Sequence, residues 1–497
     1  MFIYFFEKYL WWRASIVKTN VIGKDKFSIA GNIKLDKKGF SDKNIADKRS
    51  VYKNIFIILM VLGCMMGSFS HTAFSSLFEN IMKEFRLSAS ESQWMTAVYS
   101  MTIGVTTILS VFLTKNFDKR KLFFYSMLIF CSGIILSALS FNYVFIIIGR
   151  ILQATGSGVV LTLSQVILLS AYSKEKTGIV MGIYGFLLNL SSATAPVVTL
   201  LLARKVSWRI IMWWIFGIVV VILGVQLCMY ILRKKCYGNN IIDDEKNYKN
   251  LKEESYFYQE QVQTDRMFLG KNKITKVCKR FKKFDFVSFG SSGISVVLFM
   301  ISFTSIKEIK NGSSMVKSIL FVLTGVIFMA FFIVRQRKRE EPYINLKIFK
   351  NKKFTIVVLT SIFIYAVMMG TALWFPVYIK RIAEVDMQRV GIIMLPGALL
   401  MSISSALGGW LYQKYGIRLI YAISTCSFVV AILTRNIVPL WVLFSMRSVG
   451  IGIIMMSMVA WGMKDIEKDK YSDGTAIICS LRTVAGAFGT ALAAMLM

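Results

Sequence analysis

Residues 143–171 read YVFIIIGRILQATGSGVVLTLSQVILLSA, and the one charged residue among them is Arg150. A helix rises about 1.5 Å per residue, so about 20 apolar residues cross the roughly 30 Å hydrocarbon layer of a bilayer. The stretch is longer than this minimum and contains no proline. It therefore predicts a transmembrane helix.

The rest of the chain has the same character. Of its 497 residues, 55% are hydrophobic and 18% are charged, and the mean hydropathy is +0.58. Soluble domains average about 25% charged residues. The chain has five prolines, which fits long continuous helices. These features predict an all-α polytopic membrane protein.

The same length and apolarity criterion predicts thirteen spans in all. They lie near residues 54–76, 92–114, 121–140, 143–171, 177–202, 208–232, 285–306, 315–334, 354–378, 388–412, 417–434, 437–462 and 474–497.

Loop charge predicts the orientation of these spans, because cytoplasmic loops carry an excess of Lys and Arg. With the N-terminus inside, one side of the membrane collects the strongly basic segments, which are the N-terminal arm, 115–121, 233–283 and 335–353. Loops 77–91 and 379–389 on the other side are nearly charge-balanced. The asymmetry is weakened, without being reversed, by Arg204, Lys205 and Arg209. We therefore expect a cytoplasmic N-terminus, in a protein of the plasma membrane.

The formal net charge of +33 could suggest a nucleic-acid partner. We reject this reading because the basic residues cluster in the connectors, where they would attract anionic lipid headgroups. The seven cysteines form no CxxC pair and the chain has a single histidine, so we expect no metal site. We find no catalytic triad or phosphate-binding loop, and we expect neither an enzyme nor a cofactor.

The spans divide the chain into segments. We expect a cytoplasmic basic arm (1–53), an N-terminal six-helix half (54–232), a cytoplasmic linker (233–284), two extra linker helices (285–334), a basic cytoplasmic loop (335–353) and a C-terminal half of five helices (354–497). The arm opens with MFIYFFEKYLWWRASIV, which could be an interfacial helix or an extension without a role. The linker has the charge-dense composition of a flexible segment.

Ionisable residues inside spans are informative because each costs several kcal/mol unless it meets water or a partner. His71, Arg150 and Arg482 stand out. Arg150 is followed at helical spacing by Gln153, Ser157 and Ser164, so these side chains share about one face of a helix. We expect this face to border a water-filled pathway. The alternative is an arginine satisfied by backbone carbonyls, with a structural role.

Several motifs resemble those of a known family. GRILQATGSGVV (149–160) resembles the fourth-helix motif of the major facilitator superfamily, in which an arginine is followed by a glutamine and spaced glycines. The order of further segments is similar to the 14-helix drug:proton antiporter family, and the subgroup looks like the lincomycin-resistance type. These segments are SQWMTAVYS (92–100), RKLFFYSMLIF (120–130), SWR (207–209), RQRKREEPYINLKIFKNKKF (335–354), LWFPVYIK (373–380), GIIMLPGALL (391–400), GGWLYQKYGIR (408–418), RSVGIGIIMM (447–456) and DGTAIICSLRTVAGAFGTAL (473–492).

This resemblance implies the major facilitator fold. Two six-helix halves would be related by a pseudo-twofold axis along the membrane normal, with two linker helices between them. The substrate path would lie between the halves and open to alternate sides by rocking. Gly156 and Gly158 would permit close helix contacts, although ordinary transmembrane packing also explains them.

The sequence departs from the family pattern at three positions. The acidic residue of the family's first helix falls on His71, which can carry a proton but would not attract cationic drugs; a packing role is the alternative. The Gly-Pro of the fifth-helix antiporter motif becomes Ala195-Pro196. Within the matching stretch from Gly409 to Gly416, Gln413 replaces an acid that helps to latch conformational states in relatives, which places gating in question.

The chain end is a further departure. Thirteen spans that start inside leave the C-terminus outside, whereas the family has fourteen and ends inside. We therefore expect the last family helix to be missing, in a truncated copy or with that helix supplied from elsewhere.

These observations predict a monomeric, proton-coupled exporter of small amphipathic compounds, with antibiotics as candidate substrates. His71 and Arg150 would couple protons to the cavity, and the candidate cavity residues are Gln153, Ser157, Asn189 and Trp374. The alternative is a degenerate, non-transporting membrane protein retained for binding or sensing. A transport assay distinguishes the two.

Overall fold

Long apolar runs with few prolines form helices because the backbone in lipid must satisfy its own hydrogen bonds. The computed structural model describes residues 37–203, 205–237, 285–305, 312–339, 342–383, 387–434 and 439–495. No β-strand occurs in these ranges. The predicted N-terminal arm, up to residue 36, and linker residues 238–284 lie outside them, and the domain boundaries stay predictions.

The described residues of the first half of the chain form seven helices. They are α1 (Lys37–Ser76), a short α2 (Phe78–Phe85), α3 (Ala89–Asn116), α4 (Lys119–Ala138), α5 (Tyr143–Ala171), α6 (Thr177–Ala203) and α7 (Trp208–Tyr237). The six long helices among these are called the N-half.

The second part begins with the linker pair α8 (Phe286–Ser305) and α9 (Gly312–Lys338). The C-half then comprises α10 (Lys352–Ala383), α11 (Met387–Tyr415), α12 (Ile417–Leu433), α13 (Leu440–Met463) and α14 (Tyr471–Met495). Two short 3-10 turns, Leu346–Lys350 and Lys468–Lys470, precede α10 and α14. The expected absence of the last family helix stays a prediction.

Each of the thirteen predicted spans coincides with one of these helices. In the described residues, ten helices are long and apolar enough to cross a membrane. Two shorter apolar helices, Phe286–Ser302 and Ile417–Leu433, match two more of the predicted spans. The prediction of an all-α polytopic architecture is confirmed.

Local capping explains where the N-half helices begin. Ser88 and Glu91 form a reciprocal capping box at the start of α3, in which the Ser88 side chain accepts from the Glu91 backbone N–H. Asp118 and Asn142 accept backbone N–H groups at the starts of α4 and α5. These polar residues stop one helix and start the next, so the connectors stay short.

Helix packing places α5 and α6 at the centre. α5 packs against α3 and α4, while α6 packs against α11 of the C-half. Within the C-half, α11 packs on α13 and α10 on α14, and the linker helix α8 contacts both α3 and α14.

The two ends of the bundle differ in charge. The end at which α3 and α9 finish and α10 and α14 begin is called the basic end, because it carries Lys115, Lys119, Arg335, Arg337 and Lys352. The end at which α1 and α4 finish and α5 and α13 begin is called the opposite end.

Candidate functional site

Arg150 lies two turns into α5 and is fully buried, with 0% of its surface exposed. Its guanidinium carbon stands 4.0 Å from the ring centre of Tyr99 and 4.5 Å from that of Phe74. The Nε donates to the Met95 carbonyl (3.5 Å) and Nη1 donates to the Gln153 side chain (2.9 Å), while Nη2 has no hydrogen-bond partner. Cation–π contact with two rings and these two donated bonds hold the charge in place.

Gln153 connects Arg150 to two other helices. Its Oε1 accepts from Arg150 and from the Ser70 hydroxyl of α1 (3.2 Å). Its Nε2 donates to the Gly133 carbonyl (3.1 Å) and the Ser137 hydroxyl (3.0 Å), both on α4. Gln153 is 0% exposed, so this amide is a structural junction.

His71 lies on the same aromatic ring as Arg150. The His71 and Tyr99 rings stack with centres 4.6 Å apart. The Tyr99 hydroxyl donates to the Gly67 carbonyl (3.2 Å) and pairs with the Ser157 hydroxyl (2.9 Å). His71 Nε2 is buried and has no hydrogen-bond partner. The structure therefore brings together four of the predicted residues, His71, Arg150, Gln153 and Ser157.

In this conformation Arg150 is enclosed by side chains and does not border the water-filled pathway that the sequence predicts. The sequence places Arg150 on a polar helix face, but aromatic residues from α1 and α3 cover that face and leave the guanidinium no exposed surface. The alternative considered from the sequence, an arginine satisfied by backbone carbonyls, fits in part, because the Met95 carbonyl accepts one bond while Gln153 and two rings provide the other contacts. The roles of His71 and Arg150 in proton coupling stay predictions.

Asn189 and Trp374 lie apart from this group. Asn189 is on α6, and its Nδ2 is buried without a hydrogen-bond partner. Trp374 on α10 is partly buried and stacks on Tyr378, with ring centres 4.3 Å apart. It packs on a small core made of Phe375, Ile379, Val390 and Phe444. This set, with Trp374 and Tyr378, is called the aromatic cluster.

Arg447 on α13 adjoins the aromatic cluster, and sequence reasoning missed it. Its guanidinium carbon lies 4.6 Å from the Phe444 ring centre. Its Nε and Nη1 are buried and have no hydrogen-bond partner among the residues that the structure describes, and Nη2 donates a long bond of 3.4 Å to Ser448. The sequence signal was its place as the eighth residue of α13, which matches Arg150 as the eighth residue of α5.

The third arginine inside a span, Arg482 on α14, is better satisfied. It is 5% exposed, and its Nη2 donates to the Met455 carbonyl (3.1 Å) and the Ser361 hydroxyl (3.3 Å). Its Nε has no partner. Among the three arginines, Arg447 has the most unused hydrogen-bonding capacity.

The two halves meet closely at the basic end, along α6 and α11. A methyl carbon placed on Gly409 would lie 2.8 Å from the Gly182 Cα, and one on Gly182 would lie 2.9 Å from the Ser405 carbonyl oxygen. Gly178 packs against Gly409 and Tyr412. Because no side chain fits between them, the two backbones are in direct contact.

Two polar links reinforce this contact. The Gln413 side chain accepts from the Ile179 backbone N–H across the two halves (3.3 Å). Lys115 at the end of α3 forms an ion pair of 2.7 Å with Asp473 at the start of α14, which is 1% exposed. The contacts of α6 with α11 and of α3 with α14 are together called the basic-end seal.

The remaining predicted packing residues lie at helix contacts or turns. A methyl carbon on Gly156 would meet Phe130 of α4 at 2.8 Å, and Gly158 packs against Thr106 of α3. Pro196 lies inside α6, which continues to Ala203. Gly416 adopts φ +82° between α11 and α12, a conformation that favours glycine, so its role is in this turn.

The opposite end of the N-half is held by a cluster around Glu84. The Glu84 carboxylate accepts from the Trp208 indole and pairs with Arg209 at the start of α7. Burial raises the pKa of Glu84, but the bonds from Trp208 and Arg209 outweigh this and hold the pKa below its usual value of 4.5. Arg209, one of the cations that weaken the loop asymmetry, is therefore neutralised locally.

Comparison with known proteins identifies the family of the chain. The family model described as Major Facilitator Superfamily matches residues 59–490, most of the chain. The chain belongs to this superfamily. Its fold and relatives are those of transporters, and it is a multi-span membrane transporter with relatives named for antibiotic resistance.

Two curated relatives match this transporter over most of its length. The lincomycin resistance protein LmrB of Listeria monocytogenes is 26% identical over 451 residues, covering 89% of this chain and 86% of LmrB. The uncharacterised MFS-type transporter YcnB of Bacillus subtilis is 25% identical over 458 residues, covering 90% and 86%. The resemblance to the superfamily is confirmed, and the lincomycin-resistance type is the subgroup that these relatives support.

A solved structure supports the fold of the transporter. The crystal structure of the human organic anion transporter MFSD10 (TETRAN) superposes with a TM-score of 0.59, covering 89% of this chain and 93% of that one. The sequence identity is 9%, so the likeness concerns the fold alone. The predicted major facilitator fold is confirmed.

Proposed function

We propose that this transporter exports small amphipathic compounds across the plasma membrane in exchange for protons. A relative named for lincomycin resistance supports export of antibiotic-like compounds. The positive-inside rule supports a cytoplasmic basic end, and hence a cytoplasmic N-terminus. The proposed unit is a monomer.

The observation that carries the proposal is the position of His71 and Arg150 against one ring. Each lies within 5 Å of the Tyr99 ring centre. A proton on His71 would add a second positive charge close to a guanidinium in a medium of low dielectric, where like charges repel strongly. Protonation would therefore disfavour this packing and favour another conformation, which is what proton coupling requires.

The basic-end seal supports alternating access. Direct backbone contact between α6 and α11 closes the path at the basic end. If that end is cytoplasmic, this conformation is the one from which a path opens to the outside. The cycle then requires the seal to part so that a compound can enter from the cytoplasm. A pH difference of one unit provides about 1.4 kcal/mol per proton, enough for roughly tenfold accumulation.

The test uses everted membrane vesicles with an acidified interior and a fluorescent pH probe. Adding a panel of amphipathic antibiotics that contains anionic, neutral and cationic compounds is expected to release protons from vesicles that contain the transporter. His71→Ala is expected to remove the pH dependence of export near neutrality. Ser75→Ala is the matched control, since its hydroxyl donates to the His71 carbonyl within α1. An unchanged pH profile in His71→Ala would show that this residue only packs.

A second candidate function follows from the enclosure of Arg150. With 0% exposure, the guanidinium has a structural role in this conformation. A protein that binds compounds without exporting them would require Arg150 only in this structural role. Silence of folded, membrane-inserted protein across the whole panel would favour this candidate and reject export.

A further inference from the structure

The ionisable side chains in the membrane-spanning part of the chain are almost all basic. Across the thirteen predicted spans, the one carboxylate is Asp285, the first residue of its span. Asp285 pairs with Arg335 (3.2 Å) and Arg339 (2.8 Å) at the basic end. The interior instead contains Arg150, Arg447 and Arg482. Such an interior attracts anions and repels cations.

Of these arginines, Arg447 has the most guanidinium nitrogens without a hydrogen-bond partner among the described residues. Arg150 uses Nε and Nη1 and lies between two rings, and Arg482 uses Nη2 twice. Arg447 leaves Nε and Nη1 without acceptors, although both atoms are shielded from solvent. An uncompensated buried charge costs several kcal/mol. Arg447 therefore has room for an acceptor that the described residues do not provide.

The surroundings of Arg447 also fit a ligand. The residue as a whole is partly exposed, although Nε and Nη1 themselves are shielded. It stands over Phe444, which contacts Phe375 with ring centres 4.9 Å apart. Trp374 lies 6.4 Å from Phe375 and is partly exposed. Trp374 and Tyr378, the partly exposed rings of the aromatic cluster, offer apolar surface in the same cluster as a guanidinium with unused donors. This combination matches a compound with an aromatic body and a negatively charged group.

We propose that Arg447 binds the anionic group of the transported compound, with its apolar part on the aromatic cluster, and that the substrates are amphipathic organic anions. This inference rests on the proposed export function for its biological meaning, but binding can be measured without transport. A cationic group placed beside Arg447 would be repelled by the guanidinium. The replacement of the family's first-helix acid by His71 agrees with the same preference.

The test measures binding to the full chain in phosphatidylcholine nanodiscs by calorimetry, with empty nanodiscs as the blank. Three probes share one ring system and differ in charge: 2-naphthoate, 2-naphthamide and 2-naphthylmethylammonium. We expect 2-naphthoate to bind about tenfold more tightly than the amide or better, as a charge-assisted hydrogen bond predicts. The ammonium compound is expected to bind most weakly.

Variants assign the effect to Arg447. Arg447→Gln is expected to weaken 2-naphthoate binding about tenfold or more while leaving 2-naphthamide unchanged. Arg447→Lys, which keeps the charge without the planar fork, is expected to fall between them. The matched control is Arg418→Gln, an exposed arginine at the start of α12, which should bind like the parent chain. Unchanged amide binding shows that the variants are folded.

Three results would overturn the inference. These are equal binding of the three probes, 2-naphthoate affinity within twofold of the parent in Arg447→Gln, and loss of Arg447-dependent binding when phosphatidylglycerol is added to the nanodiscs. The last result would assign Arg447 to a lipid headgroup. Arg447-dependent binding without proton release in vesicles would reject export and keep the anion site. Proton release driven by cationic compounds, without such binding, would do the reverse.

Discussion

The fourth long helix of each half carries an arginine at its eighth residue, yet the two arginines are treated differently. Arg150 in the N-half is fully buried, lies between Phe74 and Tyr99, and donates to Gln153 and the Met95 carbonyl. Arg447 in the C-half is partly exposed and contacts one ring, and two of its nitrogens lack acceptors.

The difference indicates that the two arginines have different roles in the N-half and the C-half. In the N-half the charge is fixed by neighbours from α1, α3 and α5, and it lies next to a histidine that can titrate. In the C-half the charge is left available beside an aromatic surface. A satisfied guanidinium contributes to the fold, whereas an unsatisfied one costs free energy until a ligand arrives.

The largest expected effect concerns stability and would break this comparison directly. Arg150→Met should lower the free energy of unfolding by about 2 kcal/mol or more, because it removes two hydrogen bonds and contacts with two rings. Arg447→Met should be nearly neutral or stabilising, because it removes an uncompensated charge. Thermal unfolding in detergent measures both. Similar losses in the two variants would contradict this difference in roles.

A smaller effect is expected where the two halves meet. Gly409→Val would place carbon atoms against Gly182 at a distance well inside van der Waals contact, and such overpacking costs about 1–3 kcal/mol. The basic-end seal should open more often. A cysteine introduced as Ser405→Cys should then react about tenfold faster with an impermeant maleimide added from the basic end.

Gly391→Val is the matched control for this experiment, since Gly391 lies on the same helix and nothing lies within 4 Å of the position that a methyl carbon would occupy. Equal labelling rates in the two valine variants would show that the glycine contact does not hold the halves together.

The smallest effect concerns the outer rim of the N-half. Glu84→Gln should lower the free energy of unfolding slightly at neutral pH, by no more than about 1 kcal/mol, because the pair with Arg209 is partly exposed. The pKa of Glu84 is depressed, so its contribution is present above pH 4.5 and is lost as the pH falls through the lowered pKa. Unfolding curves of parent and variant should therefore converge in acid. A constant difference would indicate packing rather than charge.

The sequence was sufficient for the helices and for much of the seal. Apolar run length predicted every span that the structure describes as a helix, because lipid leaves the backbone no other option. The stretch from Gly409 to Gly416 was singled out for gating, and the structure places Gly409 and Gln413 at the contact between halves. Periodicity also grouped Arg150 with Gln153 and Ser157.

The sequence could not predict which residues from distant parts of the chain pack against a given helix face. The polar stripe on α5 suggested water, but Phe74 and Tyr99, distant in sequence, cover Arg150. Arg447 was overlooked because no polar stripe follows it, although its position in the repeat was visible. Spacing along one helix specifies a face, and only tertiary packing decides whether that face meets solvent, rings or a ligand.

The glycine pairs of the basic-end seal have a consequence for speed. Where Gly182 meets Gly409 the contact is backbone on backbone, so at this point the two helices can separate and rejoin with little side-chain rearrangement. The barrier to each swing of the lobes should therefore reside mainly in the Lys115–Asp473 pair and the Gln413 bond. Substitutions at a few polar links would then change the turnover rate while leaving the helix contact itself intact.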